Sequence, residues 1–540
     1  MNWFPLKNYT HYSLLRGFSK PEELAQKCKD NNYPACGICD YKTISGAVSF
    51  YKACKKAGVK PIIGCSFDNF ILFAKNKNGW NDLISLVSSL DEGGSLPDEF
   101  LESTLSKNNL IKLTSSPSKN MPHSYYVERK DARLHRILLC SEMKTTLPKI
   151  QKTIRPDNRG GINVKFPNEH MDKLIYFMQD TFYVKNKDES KDLDTKELES
   201  IYNQCEDYDV LSKPMLPKFP CPRGLTEEEY LKELCRKGWK TLLIDQGKVT
   251  KEEDKLKYLD RFKEEFDVIK EANLFGYFLI VQDIIKYVNS RSWLSGPGRG
   301  SAAGCLISYL IGITKIDPLE FDLLFARFYN AGRNTTDYIS LPDIDMDVPG
   351  TKRDEVITYL KEKYGHNRVS QMLTFGRLQG KSAIKEVLRV NEACSFAEMN
   401  AISNCIPDEA KISDQLAEMD DEDRSIIKWA LINHADDLKD FCRLTEDGKL
   451  EGEYAEYFDQ AIQIEGTFKT QGKHAAGIVI SAEPLYTVCP MVKQKGSSEK
   501  IAGLEMADLE ALGHVKFDIL GINLLDKIMK INELTGVNHG

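Results

Sequence analysis

In Pro342-Asp343-Ile344-Asp345-Met346-Asp347-Val348, carboxylates alternate one for one with large apolar side chains. A period of two is the period of a strand, so the aspartates share one face and Ile344, Met346 and Val348 share the other. The apolar face must be buried, which draws the acidic face toward the protein as well. Carboxylates this close repel one another wherever they are partly withdrawn from water. A divalent cation removes that repulsion, and magnesium favours a few carboxylates plus substrate phosphate oxygens over an all-protein cage. A solvated acidic edge strand shows the same pattern. Taken alone, the segment leaves both readings open.

Upstream lies Gly296-Pro297-Gly298-Arg299-Gly300-Ser301-Ala302-Ala303-Gly304, followed by an apolar run from Cys305 to Leu310 that reads as a helix. The glycines permit positive φ and close backbone approach, and Ser301 is the predicted cap of that helix. Amides at that end, with Arg299, can cradle phosphate oxygens. The Gly-Lys-Ser/Thr ending of a Walker loop is missing, and a tight capped turn is the competing reading. Together the two segments describe a site for a nucleoside triphosphate and divalent metal. Lys516 and Asp518 share one face of a late strand, where a structural ion pair is an equally simple account. Lys381, Lys385 and Arg389 recur every four residues and so form one basic ridge on a helix. A phosphate-tracking surface and an ordinary solvated face remain open for it.

At 540 residues the chain exceeds a single core and should divide into about three or four domains. Its hydrophobic fraction of 41% is that of a globular chain, and no apolar run reaches the length of a membrane span. Fourteen cysteines without regular spacing fit free thiols in a reducing compartment, hence a cytoplasmic location. Cys36 and Cys39, the one close pair, read as core residues rather than zinc ligands. A net charge of −7 argues against a general nucleic-acid coat but not against a local basic groove.

Strand and helix alternate over residues 1–70, predicting parallel βα units. Residues 91–125 read as loops, Lys185–Glu199 as solvated surface, and the proline-rich Pro214–Pro222 as a semi-rigid linker. Thr226–Val288, 353–364 and 380–460 read as mostly helical, with charged clusters such as Glu418 to Arg424. Ile478–Ile480 and His514–Leu520 read as strands.

Five motifs then follow in sequence: Gly296–Ser301, Pro342–Asp347, Thr374-Phe375-Gly376, Gly472-Lys473-His474-Ala475-Ala476-Gly477 and Val515-Lys516-Phe517-Asp518. Their order and approximate spacing are those of the C-family of replicative polymerases, and the chain resembles the α subunits of bacterial DNA polymerase III over nearly its whole length. The resemblance implies a multidomain α/β (α+β) architecture. A PHP-like β/α domain would occupy 1–215, and the first part of a palm related to the polymerase-β-like nucleotidyltransferases 216–378. A helical thumb at 379–460 and the rest of the palm at 461–540 would follow. Asp343, Asp345 and Asp518 would be the catalytic residues, holding two magnesium ions, with Asp347 a spare carboxylate. Gly298, Arg299, Gly300, Ser301, Arg327 and Lys516 would contact the triphosphate of an incoming dNTP. The Lys381, Lys385 and Arg389 ridge would contact primer-template DNA. The implied activity is DNA-directed 5′–3′ polymerisation in replication, with sequence information coming from the template base.

The likeness fails in three places. Active PHP domains open with a His-x-His metal motif, where this chain has Lys7 and Tyr9. Asp40 remains, but Tyr41, Ser66, His123 and Tyr125 stand at or near other ligand positions. Lysine and tyrosine do not replace imidazole, so no metal is expected in this domain. An insertion, Asn334–Ser340, obscures the correspondence of Arg333. Family members also continue into fingers, a clamp-binding region and an oligonucleotide-binding fold, whereas this chain stops at Gly540. The sequence is then either a fragment of such a polymerase or, the favoured expectation, one part of a split or phage-type polymerase, completed by a second polypeptide with fingers and reaching the sliding clamp only through it. The alternative is a non-catalytic scaffold that binds DNA or partner proteins. A phosphoesterase acting through the N-terminal domain is disfavoured by Lys7, Tyr9 and Ser66.

Overall fold

The computed structural model describes all residues except 157–161, 331, 333–340, 421–423, 495 and 538–540. Arg333, the Asn334–Ser340 insertion, part of the Glu418–Arg424 cluster and the Asn538-His539-Gly540 tail therefore lie outside the described residues. The protein is mixed α/β and its chain forms two compact units, Met1–Tyr208 with Phe375–Gly472 and Asp209–Thr374 with Lys473–Gly540.

The first unit opens with the anticipated strand–helix alternation. The helix Pro21–Asp30 begins on a proline, whose missing N–H costs nothing in a first turn. Glu22 and Glu23 lie at its positive end, Lys27 and Lys29 at its negative end, and Leu24, Ala25 and Cys28 face inward. Strands Ala35–Ile38 and Lys60–Ser66 run parallel, with the helix Ala47–Ala57 as the crossover between them. The sheet continues antiparallel through Phe70–Ala74 and Leu110–Thr114. A Cβ on Gly37 would lie 2.1 Å from the Leu6 carbonyl oxygen, so only glycine fits there.

The stretch 91–125, expected to be loop, holds the helix Asp98–Ser106 and the strand Leu110–Thr114. Only Leu110 and Ile111 of that strand are buried, too short an apolar signal to stand out among serine and asparagine. Cys36 and Cys39 are buried thiols, as expected of core residues. In the same unit, Ala383, Ile384, Val387 and Leu388 of the helix Gly380–Asn391 share one apolar core with Leu134, Ile137 and Leu138 of the helix Ala132–Glu142.

The second unit is built on a six-stranded sheet ordered Met491–Lys493, Lys500–Ala502, Val369–Arg377, Phe468–Ile480, Lys516–Ile522, Asp345–Pro349. The last two strands are parallel neighbours, with Asp518 opposite Asp345 and Leu520 opposite Asp347. Ile344, Met346 and Val348 are at most 2% exposed and join Phe517, Ile519, Tyr277, Phe278 and Val281 in one core. Each such side chain contributes about 1.5–3 kcal/mol on burial, which fixes which face of the strand is acidic and open. The helix Phe275–Ser290 is apolar nearly all round because it lies within that core.

The helical pattern read over Thr226–Val288 resolves into Glu227–Gly238, Glu252–Glu271 and Phe275–Ser290, with a short helical turn Trp239–Ile244. Pro214–Pro222 carries almost no regular structure, and the chain at its start is pinned by Ser212 N–H to the Ala511 carbonyl at 3.0 Å and Met215 N–H to the Gly513 carbonyl at 2.9 Å. Among the described residues, no helix is long and apolar enough to cross a membrane.

Candidate active site

Asp343, Asp345 and Asp518 each offer a carboxylate oxygen, and these oxygens all lie within 4.8 Å of one another. Asp343 precedes its strand and is exposed, Asp345 is half-buried, and Asp518 is buried. Burial raises the pKa of the Asp345 carboxyl, and Asp343, Asp518 and Asp347 push the same way against Arg299. Lys516 Nζ sits 2.6 Å from Asp518 Oδ2 and 3.7 Å from Asp343 Oδ1. Burial works against that ammonium, but the hydrogen bond and charge of Asp518 outweigh it and raise its pKa. Asp518 Oδ1 is buried with no hydrogen-bond partner. An orphaned carboxylate oxygen is costly, and it faces a cluster of hard oxygen donors that repel one another. The residues therefore fit a divalent cation of the magnesium type.

The glycine-rich loop runs alongside. Gly298 has φ +103° and Gly300 φ +64°, and a Cβ on Gly298 would lie 2.8 Å from Thr314 Cγ2. The loop is fixed by Gly296 N–H to the Asp347 carbonyl at 3.0 Å and by Lys315 N–H to the Pro297 carbonyl at 2.8 Å. Arg299 reaches across to the acidic strand, with Nη1 2.8 Å from Asp345 Oδ2 and Nε 3.2 Å from Asp347 Oδ1.

Two expectations about this loop are corrected. Ser301 does not cap the following helix: it lies in the 3-10 turn Gly300–Gly304, and Cys305 caps Leu306–Leu310, its sulfur accepting from Ser308 N–H. The amides at that helix end are not open to phosphate either. Leu306 and Ile307 N–H donate, both at 2.9 Å, to the buried carboxylate of Glu265. Arg261 holds that carboxylate with Nε at 2.7 Å and also donates to the Gly304 and Leu323 carbonyls. With those two amides engaged, Arg299 and the amides before the helix are the loop's remaining candidates for phosphate contact.

Sequence reasoning missed Glu265 as an anchor. Its four-residue spacing from Arg261 was visible, but nothing local marks the pair as buried. It also missed Tyr277, whose ring stacks on Phe517 at 5.3 Å and whose phenol hydrogen-bonds the Ile344 backbone. Arg353 likewise ties the sheet, donating to the Ile519 carbonyl at 2.7 Å.

Arg327 is exposed on the short helix Phe325–Phe328, which packs against the Gly300–Gly304 turn, and has no ion pair among the described residues. In the first unit, Lys381, Lys385 and Arg389 do lie on one helix, but two are engaged: Lys381 Nζ with Asp408 at 3.0 Å and Arg389 Nη2 with Glu386 at 2.6 Å.

At the N-terminal positions that correspond to metal ligands, most of the side chains are engaged within the protein. Lys7 is buried, its Nζ donating at 3.0 Å to the Thr114 and Ser116 carbonyls, and burial lowers its pKa. Tyr9 shares a 3.1 Å hydrogen bond with Ser66 and stacks on Tyr125 at 4.6 Å. Asp40 accepts from Thr10 N–H at 2.6 Å, Thr10 Oγ1 at 2.7 Å and Ser13 Oγ at 2.6 Å. Tyr41 donates to Asp68. His123 is buried, which pushes its pKa down to about 4. A cavity of about 840 Å³ beside them is lined by Tyr9, Arg16, Tyr41, Ser66, His123 and Tyr125 among others.

Residues 229–521 match the family model described as the bacterial DNA polymerase III alpha NTPase domain, and residues 5–159 match the PHP domain. A DNA polymerase III subunit alpha from Bacillus subtilis (strain 168) is 30% identical, over 99% of this chain and 49% of its own. One from Aquifex aeolicus (strain VF5) is 28% identical, over 98% and 52%. One from Buchnera aphidicola subsp. Acyrthosiphon pisum is 30% identical, over 96% and 48%. The chain spans about half the length of the curated relatives it matches.

Proposed function

Because the chain belongs to the bacterial DNA polymerase III alpha family, we propose that it carries the nucleotidyl-transfer centre of a replicative DNA polymerase, adding dNTPs to a primer 3′-hydroxyl. The observation that supports this most directly is the convergence of Asp343, Asp345 and Asp518 within 4.8 Å, beside a glycine-rich loop bearing Arg299. In this reading the three aspartates hold two magnesium ions. The chemistry such cations supply is activation of the primer hydroxyl and neutralisation of charge on the departing pyrophosphate.

The chain's own residues do the rest. Gly298 and Gly300 let the loop backbone approach the triphosphate, with Ser301 offering a hydroxyl from the adjoining turn. Arg299, Lys516 and Arg327 contribute positive charge to the phosphates. Tyr277 and Arg353 keep the two aspartate-bearing strands in register. Lys385 and the partly engaged Lys381 and Arg389 track the phosphates of primer-template DNA.

The N-terminal domain is structural and metal-free in this reading, Lys7 replacing a cation as the group that gathers carbonyls. Fingers and a clamp-binding region would complete this centre, whether on this protein or on a partner. The helix Asn523–Thr535 favours such an addition, since Leu524, Ile531 and Leu534 are exposed on it and Val537 just beyond. The protein works in the cytoplasm.

The scaffold reading rests on one observation: Arg299 and Lys516 already neutralise the aspartates. Magnesium-dependent primer extension, with fingers supplied in the same or a second chain, separates the two. Extension that disappears in Asp345→Ala supports catalysis, and extension indifferent to that change leaves only the scaffold.

A further inference from the structure

Asp347 is the one carboxylate of the acidic face outside the group that can share a cation. It is instead joined to the glycine loop at three points. Its carbonyl accepts the Gly296 N–H at 3.0 Å. Its Cβ would be 2.7 Å from a Cβ on Gly296, so the loop lies directly against it. Its carboxylate meets Arg299 Nε with both oxygens at 3.2 Å. The same guanidinium uses a different nitrogen, Nη1, on Asp345. Arg299 thus divides its donors between a candidate cation ligand and a carboxylate that is not one.

We infer that Asp347 is a positioning residue that anchors Arg299 by Nε, and that Arg299 is the resident counter-charge of Asp345, displaced toward nucleotide phosphates when a divalent cation takes Asp345. This deepens the reading of the site as a metal and nucleotide centre and rests on it. A guanidinium and a divalent cation cannot both occupy Asp345 Oδ2 at low cost, because they are like charges competing for one acceptor. The Arg299 side chain is 46% exposed, so it has room to turn. Its Nε bond to Asp347 limits the turn, leaving the remaining N–H donors in the fork that suits phosphate. Cation and triphosphate binding are thereby coupled through one side chain.

The test uses the full chain, with Mn2+ alone as the first probe and dATP in the presence of Mg2+ as the second. Removing Arg299 in R299Q is expected to tighten Mn2+ binding, followed by electron paramagnetic resonance, by about threefold to fivefold, the size of a partly exposed ion pair. R299Q and D347N are each expected to weaken dATP binding, measured by calorimetry. The double variant should be no weaker than R299Q alone, since Asp347 acts only through Arg299. Losses that add, or Mn2+ affinity unchanged in R299Q, overturn the inference while leaving the metal site standing. Mn2+ binding that survives D345N in full overturns the site reading and the inference with it.

Discussion

Asp345 and Asp518 stand directly opposite one another in the register of two parallel strands, although residues 346–517, including the helices Gly380–Asn391 and Ala455–Ile464, separate them in sequence. That register makes the site. It brings Lys516 along on the same face and leaves Asp343, just before its strand, to close the group from the solvent side.

Asp345 is held at some electrostatic cost, since burial and three neighbouring carboxylates all disfavour its charge. Asp345→Asn is therefore expected to leave the melting temperature unchanged or slightly higher while Mn2+ affinity falls at least about tenfold. Thermal unfolding and metal titration on the same sample check both halves. A sharp drop in melting temperature would mean that the carboxylate serves the fold instead.

Glu265 makes the opposite prediction. It is buried, accepts two backbone N–H groups and holds Arg261. Glu265→Ala leaves that guanidinium without its counter-charge and both amides unpaired, an expected loss of about 3 kcal/mol in urea unfolding. The glycine loop next to it should loosen as well, read as faster amide hydrogen exchange around Gly300–Gly304.

Glu386 sets a pH window. Burial works to raise its pKa, but Arg389, Ser141 and Lys469 outweigh this and hold it down to about 2. A carboxylate whose folded pKa is depressed contributes stability that is complete above its unfolded value, about 4.3, and lost as pH falls through the folded value. Acid unfolding between about pH 4.3 and 2 should therefore be shallower in Glu386→Gln than in the native protein. The same variant releases Arg389 from that ion pair, and a gain in salt-sensitive DNA binding is expected if the ridge contacts phosphates. Unchanged DNA affinity in Glu386→Gln would argue that the ridge is an ordinary solvated face.

The N-terminal cleft gives a stoichiometric prediction. Lys7 is held by two carbonyls and Asp40 by three donors, so the metal-free reading of this domain expects neither to gather a cation. In the double variant Asp345→Asn/Asp518→Asn, bound Mn2+ and Zn2+ are expected to fall to zero by elemental analysis. Retained metal that disappears on Asp40→Asn would place a working metal site in that cleft.

Some of this was legible in the chain and some was not, for physical reasons. The two-residue period at Asp343–Val348 and at Val515–Leu520 predicted which faces are acidic, because burial of Ile344, Met346, Phe517 and Ile519 leaves no other choice. Pairing those strands needed the ordered motifs, since register is a tertiary property that local alternation does not encode. The Leu306 helix was placed correctly, yet its N-terminus was credited to Ser301 and phosphate. A buried glutamate from a distant helix does that work, and its sequence spacing looks like any surface pair. The strand Leu110–Thr114 was hidden because only its first two residues face the core.

The most direct test of the central claim is a crystal structure of the chain with Mn2+ and dATP, using the anomalous signal to locate the metal. The account predicts manganese bonded to carboxylate oxygens of Asp343, Asp345 and Asp518, with Arg299 turned from Asp345 to the nucleotide's phosphates. Manganese elsewhere, or an empty triad with Arg299 and Lys516 still on the aspartates at saturating metal and nucleotide, would contradict it.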